Sequence, residues 1–322
     1  MGLDIGNALS GIKDNIAATF DRIDDIPAKL ADEAKQGLET AGNFFRDAAE
    51  NIGDVFASRT GLATALNPLS LRLPDILPEP NPDKQFDGHL VGAGGQTFPP
   101  DTALADIPAV TPARGPRNNE TLIYVNGIQT DVAGQSASLQ AIADQTGSRV
   151  IGVHNATGTF IGDVLQSLGD KLDIGRNPAV DTLADTVYNE LRAGREVHLM
   201  AHSQGAIITS RALTDVKNRL MLEDGLSREQ AENLLNNVRV ETFGGAARRY
   251  PDGPQYVHYV NRNDGVPQSF GLRSWLNPFA HAGRDAVTHY FREGRPVVSH
   301  GFEEFYLPER VPFERARQGD FD

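Results

Sequence analysis

The chain of 322 residues contains no cysteine, which excludes disulfide staples, thiolate zinc sites and cysteine nucleophiles together. That absence suits a cytosolic protein or one exported without oxidative folding. Positive charge is also scarce: 30 Lys and Arg face 43 Asp and Glu, for a formal net charge of -13. A chain this acidic is a poor partner for nucleic acid and gains nothing from passive attraction to an anionic membrane. No apolar run approaches the length of a bilayer span. The opening residues, MGLDIGNALSGIKD, lack a basic start followed by an apolar core, and Gly6 stands where a myristoylation signal wants Ser or Thr. The expectation is a cytoplasmic protein in the producing cell, or one exported without a cleaved signal peptide, with no transmembrane segment.

What is present divides the chain in three. Over residues 1–65, apolar residues recur at intervals of three and four, among them Ile5, Leu9, Ile12, Ile16, Phe20, Ile23, Phe45, Ile52 and Phe56. This pattern predicts an amphipathic helical region. Its stripe has two uses: packing on itself or on the rest of the chain, and docking on a partner protein or shallowly in a membrane. Residues 66–116 hold ten of the nineteen prolines. Fixed φ angles and missing donors predict an extended connector there, with a short edge strand in HLVGAGGQTF as its one candidate element.

From residue 117 to 322 strands and helices alternate, the pattern of a parallel sheet with crossover helices. Strands are expected at Thr121–Asn126, Val150–Val153, Val197–Ala201, Val238–Phe243 and Tyr256–Val260. Helices are expected at Ser136–Ala143, Gly162–Leu172, Val180–Arg192, Gln204–Arg219 and Ser227–Asn236.

The stretch EVHLMAHSQGAIITSRAL sits at the centre of this alternation. Ala201-His202-Ser203-Gln204-Gly205 falls between a strand and a helix, which is where a nucleophile elbow strains a serine and exposes its hydroxyl. The bland alternative is a serine-capped helix. A serine attacks only when a base takes its proton and a third group fixes that base. Asp264, just past a strand in Asn263-Asp264-Gly265-Val266-Pro267, is the candidate acid, or else an ordinary Asp-Gly turn. His300, after the apolar run Val297-Val298, is the candidate base, with His289 and His281 as rivals in helical surroundings. His258, within a strand, reads as core or flanking, and His202 as pointing into the fold. For an oxyanion, the amide of Gln204 is one candidate donor, and Ile128 or Gln129 after Gly127 supplies the other. Phe270, Leu272, Trp275, Leu276, Phe279 and Phe291 concentrate apolar surface, either as a lid or acyl wall or as the closing layer of the core.

A strand ending in Asn126-Gly127, the A-H-S-Q-G elbow, Thr242-Phe243-Gly244, Asn263-Asp264-Gly265-Val266-Pro267 and a late His300 together resemble the α/β-hydrolase superfamily. Within it the chain is similar to the class 3 lipases and to lipase-like effectors that bacteria deliver into neighbouring cells. The resemblance spans about Glu120 to Leu307. It implies an α/β fold with a mostly parallel sheet and flanking helices, preceded by the amphipathic region. It also implies nucleophile, acid and base roles for Ser203, Asp264 and His300. The chain departs from the family pattern in three places: Ala201 replaces the first elbow glycine, Asn126 replaces a histidine, and Gly245-Ala246-Ala247 replaces a proline and arginine. The resulting expectation is a serine ester hydrolase, a lipase or phospholipase without cofactor or metal, acting on a lipid or ester substrate. The alternatives are an esterase or thioesterase for small soluble substrates, or a non-catalytic binding protein on the same fold.

Overall fold

The computed structural model describes residues 83–128, 130–156, 177–273, 280–296 and 299–322. The expected amphipathic region, the first part of the connector, the helix at 162–172, Gln129, and the valines before Ser299 lie outside the described residues, as do Trp275, Leu276 and Phe279.

In chain order the elements are β1 (Leu90–Val91), β2 (Thr97–Phe98), β3 (Thr121–Val125), α1 (Val132–Thr146), β4 (Arg149–Val153) and α2 (Pro178–Arg192). They continue with β5 (Val197–His202), α3 (Gly205–Leu222), α4 (Arg228–Leu235), β6 (Val238–Phe243), β7 (Gln255–Asn261), α5 (Gly265–Ser269), β8 (Val287–Phe291) and α6 (Phe313–Arg317). The strands form one eight-stranded sheet in the order β2-β1-β4-β3-β5-β6-β7-β8. From β4 to β8 all neighbours are parallel, while β1 pairs antiparallel with both β4 and β2. Part of the proline-rich stretch therefore belongs to the sheet.

Side chains alternate between the two faces as period-2 geometry requires. Ile123, Val125, Leu199, Ala201, Val238 and Val240 pack with α2, α3 and α4 on one face. Leu122, Tyr124, Met200, Phe243, Val257 and Tyr259 pack with α1, α6 and Phe302 on the other. Each fully buried aliphatic side chain contributes about 1.5–3 kcal/mol relative to exposure. The helices start where the sequence supplies caps: Asp131 accepts from the Gly134 amide, Asn177 from Val180, and Ser227 and Gln230 form a reciprocal capping box.

One sequence expectation fails at His289. It lies on strand β8, not in a helix, with its ring stacked on Phe321 at 4.0 Å and on Phe291 at 5.5 Å. His281 likewise sits in an isolated bridge opposite Arg249 rather than in a helix. Charge is buried inside the sheet as well. Glu241 on β6 accepts from Arg310 at 2.8 Å and pairs with His198 of β5 at 2.9 Å. Burial opposes both charges, but Arg310 and His198 outweigh it and lower the Glu241 pKa, while Glu120 and Glu241 raise that of His198.

Candidate active site

The chain passes from β3 to β4 on one side and then returns to place β5 on the other side of β3. Strand order reverses there, which opens a crevice outside the carboxyl ends of β3 and β5. Ser203 stands in that crevice, directly after β5. Its φ of 55° is left-handed, an unusual conformation for a residue with a side chain. Two features hold the strain: the Ser203 amide donates to the Phe243 carbonyl at 3.0 Å, and the Ser203 carbonyl accepts from Ala206 and Ala246 at 3.1 Å each. Gly205 completes the turn. A Cβ there would lie 2.3 Å from the Val125 carbonyl oxygen, so helix α3 approaches β3 this closely only because glycine opens it.

Asp264 follows the end of β7 and caps α5. It is fully buried, and its carboxylate is crowded with donors. Oδ1 accepts from the Val266 amide at 2.8 Å, and Oδ2 accepts from His300 Nδ1 at 2.6 Å and from the Tyr306 hydroxyl. Gly244 makes the space: its φ is 55°, and a Cβ there would sit 2.9 Å from both Asp264 Oδ2 and the Tyr306 ring. The sequence triplet Thr242-Phe243-Gly244 thus has a steric reason.

His300 follows β8, in irregular backbone that Asn261 and Asn263 brace. Asn261 donates to the carbonyls of Glu293 at 2.9 Å and Ser299 at 3.3 Å, and Asn263 donates to Gly294 at 3.0 Å. The imidazole then spans the gap, with Nε2 2.8 Å from Ser203 Oγ. Ser203, His300 and Asp264 are therefore brought into one hydrogen-bonded line. With Nδ1–H donated to the carboxylate, Nε2 is left free to accept the serine proton.

On the other side of Ser203, the loop after β3 passes so close that a Cβ on Gly127 would lie 3.0 Å from Ser203 Cβ. Three buried amides fix this loop. Asn126 donates to the Gly127 and Asn155 carbonyls at 2.8 and 2.9 Å, and Asn155 donates to Gln204 Oε1 at 2.7 Å. The Gln204 and Ile128 main-chain amides donate to no acceptor among the described residues.

Sequence reading missed Tyr306 and Asn155. Tyr306 lies one turn after Phe302, which stacks on Tyr124 at 5.1 Å and anchors the segment. Its hydroxyl pKa is raised by burial and by the Asp264 charge, so it stays a donor. Its signal was hidden because an aromatic at helical spacing reads as core. Asn155 was detectable as a polar residue just past the carboxyl end of a buried parallel strand. Phe270 and Phe291, read either as lid or acyl wall or as the closing layer of the core, lie in the core. Both are 9% exposed and sit in the two cores, because α5 and β8 turn those side chains against the sheet. Among the described residues no group of three or more His, Asp or Glu is placed to hold a metal ion, and no helix is long and apolar enough to cross a membrane. A cavity of about 910 Å³ lies at the opposite, amino ends of the strands, lined by Glu120, Arg149, His198 and Arg239, and shares no residue with this site.

A mostly parallel sheet with this order, a strained serine after β5, a carboxylate after β7 and a histidine after β8 is decisive for the architecture. It is the α/β-hydrolase fold. No family model matches the chain, and no curated protein matches it. Among solved structures, an esterase from Pyrobaculum calidifontis is similar over 64% of this chain and 74% of its own, at 12% identity and a TM-score of 0.38. A thioesterase of the prodiginine pathway in Streptomyces coelicolor is similar over 62% and 84%, at 12% identity and a TM-score of 0.32. Acetyl xylan esterase 1 from a Thermoanaerobacterium species is similar over 62% and 77%, at 12% identity and a TM-score of 0.30.

Proposed function

We propose that the protein is a serine hydrolase of carboxylic esters, lipid esters foremost, acting through an acyl-enzyme on Ser203. The observation that carries this reading is the unbroken line from Ser203 Oγ through His300 to Asp264, with contacts of 2.8 and 2.6 Å. In the first half-reaction His300 Nε2 takes the serine proton as Oγ bonds to the acyl carbon. The carbonyl oxygen becomes negative and meets the amides of Gln204 and Ile128. The imidazolium, steadied by Asp264, then gives its proton to the departing alkoxide. Water repeats the sequence on the acyl-enzyme and frees the acid. Asp264 is held in place throughout, since its oxygens receive a main-chain amide, a phenol and the imidazole.

Support for lipid esters within that class comes from the sequence, through Thr242-Phe243-Gly244 and Asn263-Asp264-Gly265-Val266-Pro267 and their resemblance to lipases. The test is to incubate the protein and Ser203→Ala with mixed phospholipids and neutral lipids, and to identify released products by mass spectrometry. Ser203→Ala loses at least about a thousandfold in turnover and keeps its fold, because alanine removes only the attacking atom. Turnover within about tenfold of the unaltered protein rejects the assignment.

The same reading gives the amphipathic residues 1–65 a role in contact with lipid assemblies. Deleting residues 1–70 then preserves turnover of a soluble short-chain ester and reduces turnover of vesicles. Apolar insertion rather than charge drives such a contact, so moderate salt weakens it little. Loss of soluble-ester turnover in the shortened protein assigns the stripe to the catalytic core instead.

A further inference from the structure

His202, the elbow residue before Ser203, is absent from the chemistry above yet touches both halves of the site. Its Nε2–H donates to the His300 main-chain carbonyl at 2.9 Å. Its ring lies 4.6 Å from the His300 ring at a tilt of 33°, with Phe302 at 5.5 Å and Tyr306 at 6.1 Å behind it. On the opposite edge, a Cβ on Gly127 would come within 3.3 Å of His202 Nδ1, so the ring also abuts the loop that carries Ile128. We propose that His202 is a positioning residue, a strut that fixes the main chain of the general base against the nucleophile's own strand and against the oxyanion loop. This rests on the reading of Ser203 and His300 as nucleophile and base.

The arrangement explains why a titratable ring is tolerated beside the base. When His300 carries the proton in mid-reaction, a second positive ring 4.6 Å away would oppose it. Burial holds His202 neutral, with its pKa well below the usual value, and the neighbouring His300 pushes in the same direction. A neutral ring with its hydrogen on Nε2 supplies the strut at no electrostatic penalty. Together with the Asn261 brace on the neighbouring Ser299 carbonyl, the carbonyl bond holds the His300 main chain and with it the height of the ring relative to Ser203 Oγ.

Glutamine and asparagine separate this role from mere filling of space. The amide of Gln reaches the position of an imidazole Nε2, whereas that of Asn reaches only the position of Nδ1. His202→Gln and His202→Asn are therefore compared for kcat and KM on a soluble short-chain ester, with thermal midpoints measured beside them. The expected result is that Asn lowers kcat on the order of tenfold to a hundredfold with KM unchanged, while Gln restores most of it. The two midpoints are expected to be alike. Equal kcat values in the two variants, or a loss that tracks the thermal midpoint, overturn the strut. If the unaltered protein turns over no ester, it is the hydrolase reading that fails. Should Asn fail to fold, Gln alone decides, because a kcat more than about tenfold below the unaltered protein also overturns the proposal.

Discussion

At the scale of single residues, the site is a set of side chains, mostly buried, each held by a hydrogen-bond partner. Tyr306 is the clearest case of a partner invisible in the sequence, because nothing about Phe305-Tyr306-Leu307 distinguishes a phenol that serves a carboxylate from one that fills a core. Phenylalanine fits the same space and removes one donor from a buried carboxylate. Tyr306→Phe is therefore expected to cost about 1.5–3 kcal/mol of stability and to lower kcat while leaving KM in place. Urea unfolding with steady-state kinetics measures both, and unchanged values in both would remove Tyr306 from the site. Ser203, Asp264 and His300 were legible for the opposite reason. Their chemistry demands small neighbours and turn residues, Ala201 and Gly205 around one and Gly265 after another, which leave a mark on the sequence that packing aromatics do not.

Between strands and helices, what matters is how closely backbones are allowed to approach. The elbow depends on α3 crossing the end of β3 with no Cβ between them. Gly205→Ala puts a methyl 2.3 Å from the Val125 carbonyl oxygen and forces the two elements apart, since all three nearest atoms are backbone. The expected outcome is loss of fluorophosphonate labelling at Ser203 by a hundredfold or so, with far-UV circular dichroism retained. Labelling at the original rate would show that the turn has room to spare. The same scale explains where sequence reading of the elements stopped. The central strands β3, β5, β6 and β7 are long, buried runs and were found. The two-residue strands β1 and β2 both fall within HLVGAGGQTF, where the sequence offered one short edge strand, because two residues are too few for any period to separate them; β8 is half-exposed with a mixed polar and aromatic composition, so its alternation is blurred.

For the molecule as a whole, buried neutral histidines set a response to acid. His258 on β7 is locked between Thr242 Oγ1 at 2.7 Å and the Ala282 carbonyl at 2.9 Å, and burial lowers its pKa to about 4. The unfolded chain binds this proton below about pH 6.5 while the folded one refuses it. Stability from this residue is thus complete above pH 6.5 and drains away as the pH falls toward 4, by on the order of 3 kcal/mol. In His258→Gln that proton uptake is gone, so the stability gap between the two proteins narrows by a similar amount between pH 7 and pH 4. Parallel urea titrations across that range check it, and a constant gap would mean that His258 takes up its proton in the folded state too.

The separation of the site's members along the chain also has a consequence in time. Ser203 and His300 stand 97 residues apart, with the nucleophile's strand first. At roughly 5–20 residues per second, a ribosome releases the serine about 5–20 s before the histidine that is proposed to activate it. Throughout that interval the growing chain holds an unassisted hydroxyl, and Tyr306 and the Arg310 anchor come later still. A site proposed to cleave lipids is thereby completed only after the strands before His300, which must hold it, have had time to assemble.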